Sequence, residues 1–366
     1  MSITDKLEGK RVVICAGSGG VGKTTTSAAL AMGLAAEGRK VAVVTIDPAK
    51  RLADSLGLED LGNEPALVDP ARLAGHGIEM KGELWAMMLD AKRTFDELID
   101  KLAPDDKSRD EVLANRIYQE LSGAVAGSQE FTAIAKLYDL DRSGEFDVLI
   151  LDTPPSRNAL DFLDAPDRLT GFLDGRALKV FLAPTGIAAK VMGRGTSVVF
   201  SVMRRVTGVD LLQDLSVFFG ALGGLVGGFR ERASGVKKLL ADPATTFLIV
   251  TSPEREPVDE AIFFRGKLRE AGMPFGGLIV NRVQLDLVEG DPDEVAGELA
   301  EALGEELTAK VADTLRELQV LAQRDLASLS KLMDELEVTE PTVIPLLEGD
   351  VHDVDGLAQV HHHLFA

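Results

Sequence analysis

The sequence predicts an α/β fold, a doubly wound and mostly parallel sheet that carries helical insertions. Three observations lead there. Short β-branched or aliphatic runs alternate with helical patterns along most of the chain. A glycine-rich turn joins the first such run to the first helix, and two later runs end in aspartate. The runs are Val12–Ala16, Val41–Ile46, Val148–Leu151, Thr246–Thr251, Leu278–Val280 and Val343–Leu347. Each is short, apolar and bounded by turn residues, as buried parallel strands are. Helical patterns lie between them, for example Thr24–Glu37 before Gly38 and Pro257–Ala271 before Gly272.

Two stretches interrupt this alternation. Residues 80–140 place Leu84, Met87, Met88, Phe95, Leu98 and Leu102 at helical spacing, and residues 160–242 are helical in pattern with glycine breaks. Both are expected to be helical insertions, together a helical subdomain, within one domain spanning residues 1–366. No internal repeat and no Pro/Ser-rich linker suggests a further division.

Composition narrows the function classes. Of 366 residues, 59 are acidic and 39 are Lys or Arg, a net charge of −20. That charge argues against nucleic acid as a partner. One cysteine, Cys15, can form neither an internal disulfide nor a multi-thiolate metal site. The N-terminus lacks the apolar stretch of a signal peptide. The most apolar stretch, between Asp214 and Arg230, contains five glycines and is too short to span a bilayer. A cytoplasmic protein is expected. The charge is uneven: residues 284–340 hold 16 acids against four bases, and residues 174–240 hold ten bases against four acids.

The glycine-rich turn reads Gly17-Ser18-Gly19-Gly20-Val21-Gly22-Lys23-Thr24-Thr25. A strand precedes it and a helix follows, which is the context of a phosphate-binding loop. Backbone N–H groups of Gly19, Gly20, Val21 and Gly22 can approach phosphate oxygens, aided by the helix N-terminus. Lys23 is expected on the β- and γ-phosphates of ATP, Thr24 on Mg²⁺, and Thr25 beside them. Asp47 ends the second run and Asp152 the third. Ligands bind beyond the carboxyl ends of such strands, so both carboxylates are expected at the phosphates and the metal. Asp152 suits Mg²⁺ support, and Asp47 suits positioning or deprotonating an attacking water.

These motifs together resemble the arsenite-pump and tail-anchored-protein-targeting ATPase family, which is related to the nitrogenase iron protein and the partitioning ATPases. Thr45-Ile46-Asp47-Pro48-Ala49 with Leu52-Ala53-Asp54 is similar to that family's first switch. Asp152-Thr153-Pro154-Pro155-Ser156 with Leu160-Asp161-Phe162-Leu163 is similar to the second. The resemblance implies that Asn281, beside Arg282, reads adenine. It also implies subunits paired face to face, ATP-driven closure, and a client or partner surface on the helical insertions. The pair is either a homodimer or a heterodimer with a paralogue. Two departures stand out. Ser18 occupies the place of the usual first lysine, which reaches the partner's phosphates, and Ser156-Arg157-Asn158 replaces the usual Thr-Gly-His. They raise the alternative of a catalytically weak ATP-binding subunit, paired with a paralogue that keeps the lysine. The chain also lacks the CxxC zinc clasp of eukaryotic targeting ATPases and the thiolates that suit arsenite.

Three smaller expectations remain. Residues 174–240, basic and apolar, form either a packed helical subdomain or a surface for an apolar helix or a membrane, with Gly220, Gly223, Gly224, Gly227 and Gly228 weakening any rigid helix. Residues 284–340 form solvent-facing helices over the sheet. His352, His361, His362 and His363 belong to a solvated tail.

Overall fold

The structure is a computed structural model that describes all residues except 1, 48, 122–127, 154–163, 166, 168–170, 172–210, 287–289 and 366. The second-switch expectation, Pro154 to Leu163, lies outside the described residues, as does most of the basic insertion before Leu211. The chain divides into two compact units. The first comprises residues 1–88, 144–159 and 241–366, and the second 89–143 and 160–240.

The first unit is built on an eight-stranded sheet. In chain order the strands are β1 (Val12–Ala16), β2 (Lys40–Thr45), β3 (Ala66–Leu67), β4 (Glu83–Met88), β5 (Val148–Asp152), β6 (Thr245–Thr251), β7 (Phe275–Val283) and β8 (Thr342–Pro345). Across the sheet they run β3-β4-β2-β5-β1-β6-β7-β8. Every pairing is parallel except β3 with β4. The central strands β1, β5 and β6 are buried along their whole length, which only apolar runs flanked by helices on both faces allow. On one face lie α2 (Lys23–Ala36) and the C-terminal helix α14 (Val354–Phe365). Leu30, Leu34, Leu357 and Leu364 join Val13, Val43, Val250 and Ile279 in one core there. On the other face Phe264 of α10 (Arg255–Glu270) meets Phe247 of β6 edge to face at 6.3 Å.

Residues 83–88 correct the helical expectation for 80–140. They form β4, paired residue by residue with β2 from Lys40↔Glu83 to Thr45↔Met88. In a five-residue apolar run such as Leu84–Met88, helical and strand spacing cannot be told apart, and an open edge of β2 decides for the strand. Trp85 packs edge to face on Phe146 at 6.0 Å, with the Lys40 ammonium 5.1 Å from its ring.

The acidic stretch contains α13 (Glu305–Leu336), a 32-residue helix that turns Ala312, Ala322, Asp325, Leu332 and Leu336 inward. Leu321 and Leu326 remain exposed. Asp325 is buried because its carboxylate accepts a hydrogen bond from the Gln284 backbone N–H at 2.9 Å and from Arg324 at 2.8 Å.

The solvated-tail expectation holds for His352, which is exposed and precedes the last helix, but not for the other three histidines. His361–His363 lie within α14, where Val354, Leu357, Val360 and Leu364 recur at helical spacing and are buried. His361 stacks on Phe365 with ring centroids 5.0 Å apart.

The second unit is helical: α5 (Ala91–Leu102), α6 (Asp106–Leu113), α7 (Arg116–Leu121), α8 (Ser128–Ser143) and α9 (Leu211–Leu240). Phe95 stacks on Tyr118 and on Phe229, and Leu98, Ile99, Val112, Phe131 and Leu225 complete the core. Desolvation and the Asp96 carboxylate beside its hydroxyl push the Tyr118 phenol well above its ordinary pKa. Partly buried Arg232 donates to the Ala135 carbonyl at 3.1 Å and pairs with Asp139, and its guanidinium lies over the Tyr138 ring. The glycines of α9 do not break it: the helix is continuous from 211 to 240. At Gly228 a Cβ would stand 2.8 Å from Leu102, so the missing side chain lets this helix approach α5. No helix among the described residues is long and apolar enough to cross a membrane.

Candidate functional site

The strand order places β1 between β5 and β6, so the loop after β1 opens at the carboxyl edge in the middle of the sheet. That loop runs into α2 without a side-chain cap. Gly22 is the N-cap at φ +90°, a left-handed conformation, and the first turn of α2 keeps its N–H groups toward the cleft. A Cβ on Gly22 would sit 2.3 Å from the Asn281 amide nitrogen, so position 22 excludes any side chain twice over.

Lys23, the first residue of α2, is buried at 6% exposure, and its ammonium donates to the Ser18 carbonyl at 2.7 Å. Burial lowers its pKa, opposed chiefly by the Asp152 carboxylate. Asp152 ends β5 in register with Cys15 of β1 and Thr45 of β2. Its Oδ2 accepts from the Thr24 hydroxyl at 2.7 Å and the Thr45 hydroxyl at 2.8 Å. Its Oδ1 is buried with no hydrogen-bond partner. Burial pushes this carboxyl up to about 6, against the pull of both hydroxyls and Lys23. An orphaned carboxylate oxygen beside a threonine hydroxyl is a donor set that fits a hard divalent cation such as Mg²⁺.

Asp47 lies at the same edge. Its backbone N–H donates to Thr45 Oγ1 at 3.1 Å, and its carboxylate accepts from the Ala49 N–H at 3.0 Å and pairs with Arg51 at 3.3 Å. Thr45 therefore joins Asp152 to the Asp47 turn. Sequence reasoning missed Thr45 as a functional residue, although a threonine ending a strand two residues before Asp47 was the available signal.

Two cavities flank the loop. One, of about 310 Å³, is walled by Lys23, Thr24, Asp47, Arg51 and Thr153. The other, of about 380 Å³, is walled by Asn281 and the segment Pro345–His352. Gly22, Thr25, Arg282, Val351 and His352 border both. Asn281, at the end of β7, donates its amide to the Val21 carbonyl at 2.9 Å and accepts from the Arg282 N–H. Arg282 has φ +60°, a left-handed position within the register shift between Val280 and Val283 in the pairing of β7 with β8. Of the expected site residues, Gly20, Gly22, Lys23, Thr24, Thr25, Asp47 and Arg282 line the first cavity, and Asp152 bonds directly to Thr24. Asn281 lines only the second. The wall at 345–352 had no motif to announce it.

Cys15 is fully buried and burial pushes its thiol up to about 12. It is expected to resist alkylation by iodoacetamide at about pH 8 in the folded chain and to react after unfolding. Rapid labelling of the folded chain, followed by mass spectrometry, would contradict this placement. Among the described residues no group of His, Cys, Asp and Glu forms a further metal cluster.

A doubly wound sheet, a glycine loop capping a helix, and two strand-end carboxylates beside a lysine define a phosphate-loop nucleotide-binding protein. The chain belongs to the anion-transporting ATPase family, whose model matches residues 10–365. It is similar to "ATPase ARSA1" of Chlamydomonas reinhardtii, 30% identical over 75% of this chain and 35% of that protein. It is also similar to "Putative arsenical pump-driving ATPase 1" of Aquifex aeolicus (strain VF5), 28% identical over 69% of this chain and 58% of the relative. A third relative, "ATPase ASNA1 homolog" of Cryptosporidium parvum (strain Iowa II), is 26% identical over 76% of this chain and 67% of its own length. The first two relatives are thus matched over little more than a third and a half of their lengths.

Proposed function

We propose that the chain is a Mg²⁺-dependent ATP hydrolase of the arsenite-pump and targeting class. One observation carries this reading: Lys23, Thr24 and the half-satisfied Asp152 converge on the open N-terminus of α2. Thr24 and Asp152 would hold Mg²⁺, which when bound neutralises charge on the β- and γ-phosphates. Lys23 binds the same phosphates from the buried side. Asp47, held by the Ala49 N–H, orients the attacking water and takes its proton. Asn281 reads the base from the second cavity, with the segment 345–352 opposite.

In this proposal the chain is one cytosolic ATPase domain whose helical insertions form the client or partner surface. Two copies, or this chain and a paralogue, close over the nucleotides. The separate compactness of 89–143 with 160–240 supports an inserted helical unit. The client would be an apolar helix or a membrane surface at residues 174–240.

The test is single-turnover hydrolysis of ATP by the full chain. Asp47→Asn is expected to slow it by about 10²-fold or more. An unchanged rate would count against the assignment.

Ser18 favours a second reading. It is buried, and its hydroxyl brings no charge to the loop. A weakly hydrolysing, ATP-binding subunit would turn over slowly alone and gain activity with a paralogue that supplies a lysine there. Full turnover by the isolated chain would exclude that version.

A further inference from the structure

The phosphate end of the cleft holds a cation that the glycine loop does not provide. Arg51 is the first residue of α3 (Arg51–Ser55). It walls the phosphate-side cavity together with Lys23 and Thr24 and is absent from the walls of the base-side cavity. Arg282, by contrast, borders both and so cannot distinguish one end of a nucleotide from the other.

A left-handed backbone position immediately precedes Arg51. Lys50, just before it, is the N-cap at φ +56°, a left-handed conformation that a lysine adopts only when held there. Its carbonyl accepts from the Asp54 N–H at 2.9 Å in the first turn of α3, and its ammonium stands in solvent 3.2 Å from Asp60. The Arg51 side chain, 63% exposed, places its guanidinium 3.3 Å from Oδ2 of Asp47, whose own side chain is 15% exposed. With its cation mostly in solvent, such a pair is weak and the arginine is easily exchanged to another anion. The competing acids around it are Asp47 and Asp54, both on the wall of the same cavity.

We propose that Arg51 is a second phosphate-binding residue acting within its own subunit: it leaves Asp47 for the terminal phosphate of ATP. The guanidinium fork suits two phosphate oxygens at once, where an ammonium would offer a single point of charge. The exchange also uncovers the Asp47 carboxylate, which stays anchored by the Ala49 N–H. Charge missing at Ser18 is thereby restored from α3, and the residue assigned to the water becomes available when the terminal phosphate is present. This rests on the cleft being an ATP site.

The experiment is equilibrium titration of the full chain and of Arg51→Ala and Arg51→Lys, with Mg²⁺ and either ADP or a non-hydrolysable ATP analogue. Arg51→Ala is expected to weaken the analogue by about 10–100-fold, the range of a charge-assisted hydrogen bond. Its ADP affinity is expected to stay within about twofold by the same argument, since ADP lacks the group addressed, and this also shows that the variant is folded. Arg51→Lys is expected to recover part of the loss. Equal weakening of both nucleotides, or of neither, overturns the proposal while leaving the ATP-site reading in place. A parent chain that binds neither nucleotide overturns the ATP-site reading itself, and the role of Arg51 with it.

Discussion

Lys23→Ala is expected to lower ATP hydrolysis by about 10³-fold and to weaken nucleotide binding severely. The reason is the side chain's placement. Lys23 is the buried cation of the loop, and its ammonium is fixed by the Ser18 carbonyl at 2.7 Å. No other buried cation lies among the described residues lining that cavity. The loss also reaches Asp152, whose ionised form Lys23 favours. Without that neighbour the carboxyl holds its proton to a higher pH. Arginine would be a poor substitute, because a guanidinium does not fit a slot closed around an ammonium. Steady-state hydrolysis and nucleotide titration of the purified variant give the check, and activity within tenfold of the parent would contradict the assignment.

Asp152→Asn is the second large effect, and it has two opposite sides. Hydrolysis is expected to fall by about 10²–10³-fold, because a neutral amide cannot supply the charge that the orphaned Oδ1 would offer a cation. Stability of the nucleotide-free chain is expected to rise at neutral pH. Burial raises the Asp152 pKa from 3.8 to about 6 in the folded chain. A raised folded pKa contributes stability that is full below 3.8 and lost as pH rises through about 6. At about pH 8 the ionised carboxylate therefore costs on the order of 3 kcal/mol relative to acid. The asparagine variant escapes that cost, so its advantage should shrink as pH falls from about 7 toward 4. Chemical denaturation at both ends of this range measures it. A variant less stable than the parent at neutral pH would contradict this account of the carboxylate.

Much of this site could be read before the structure. The glycine loop, Lys23, Thr24, Asp47 and Asp152 are short-range patterns: each residue sits beside the strand end or helix start that places it. The central strands were legible for the same reason, since burial on both faces leaves an uninterrupted apolar run. Thr45 and Arg51 were not legible as site residues. Their roles arise from neighbours across the sheet or in the next turn, and a lone threonine or arginine carries no signature. Strand β4 was hidden because Leu84, Met87 and Met88 sit at helical spacing within a short run that is apolar on both faces, and only β2 selects between helix and strand. The reason for a glycine at position 228 of α9 is the close approach of Leu102, more than a hundred positions away in sequence. The C-terminal histidines drew attention from the apolar stripe beneath them.

The aromatic residues divide the molecule for spectroscopy. The single tryptophan, Trp85, belongs to the sheet unit, and both tyrosines, Tyr118 and Tyr138, belong to the helical unit. Indole emission and phenol absorbance therefore report separate parts of the chain. If the helical insertion melts on its own, the phenol signal should move first while the indole stays still. Trp85 pairs with Ala42, three positions before the Thr45 end of β2 where the cleft opens. Its light follows the integrity of the sheet edge, and nucleotide occupancy needs a label of its own.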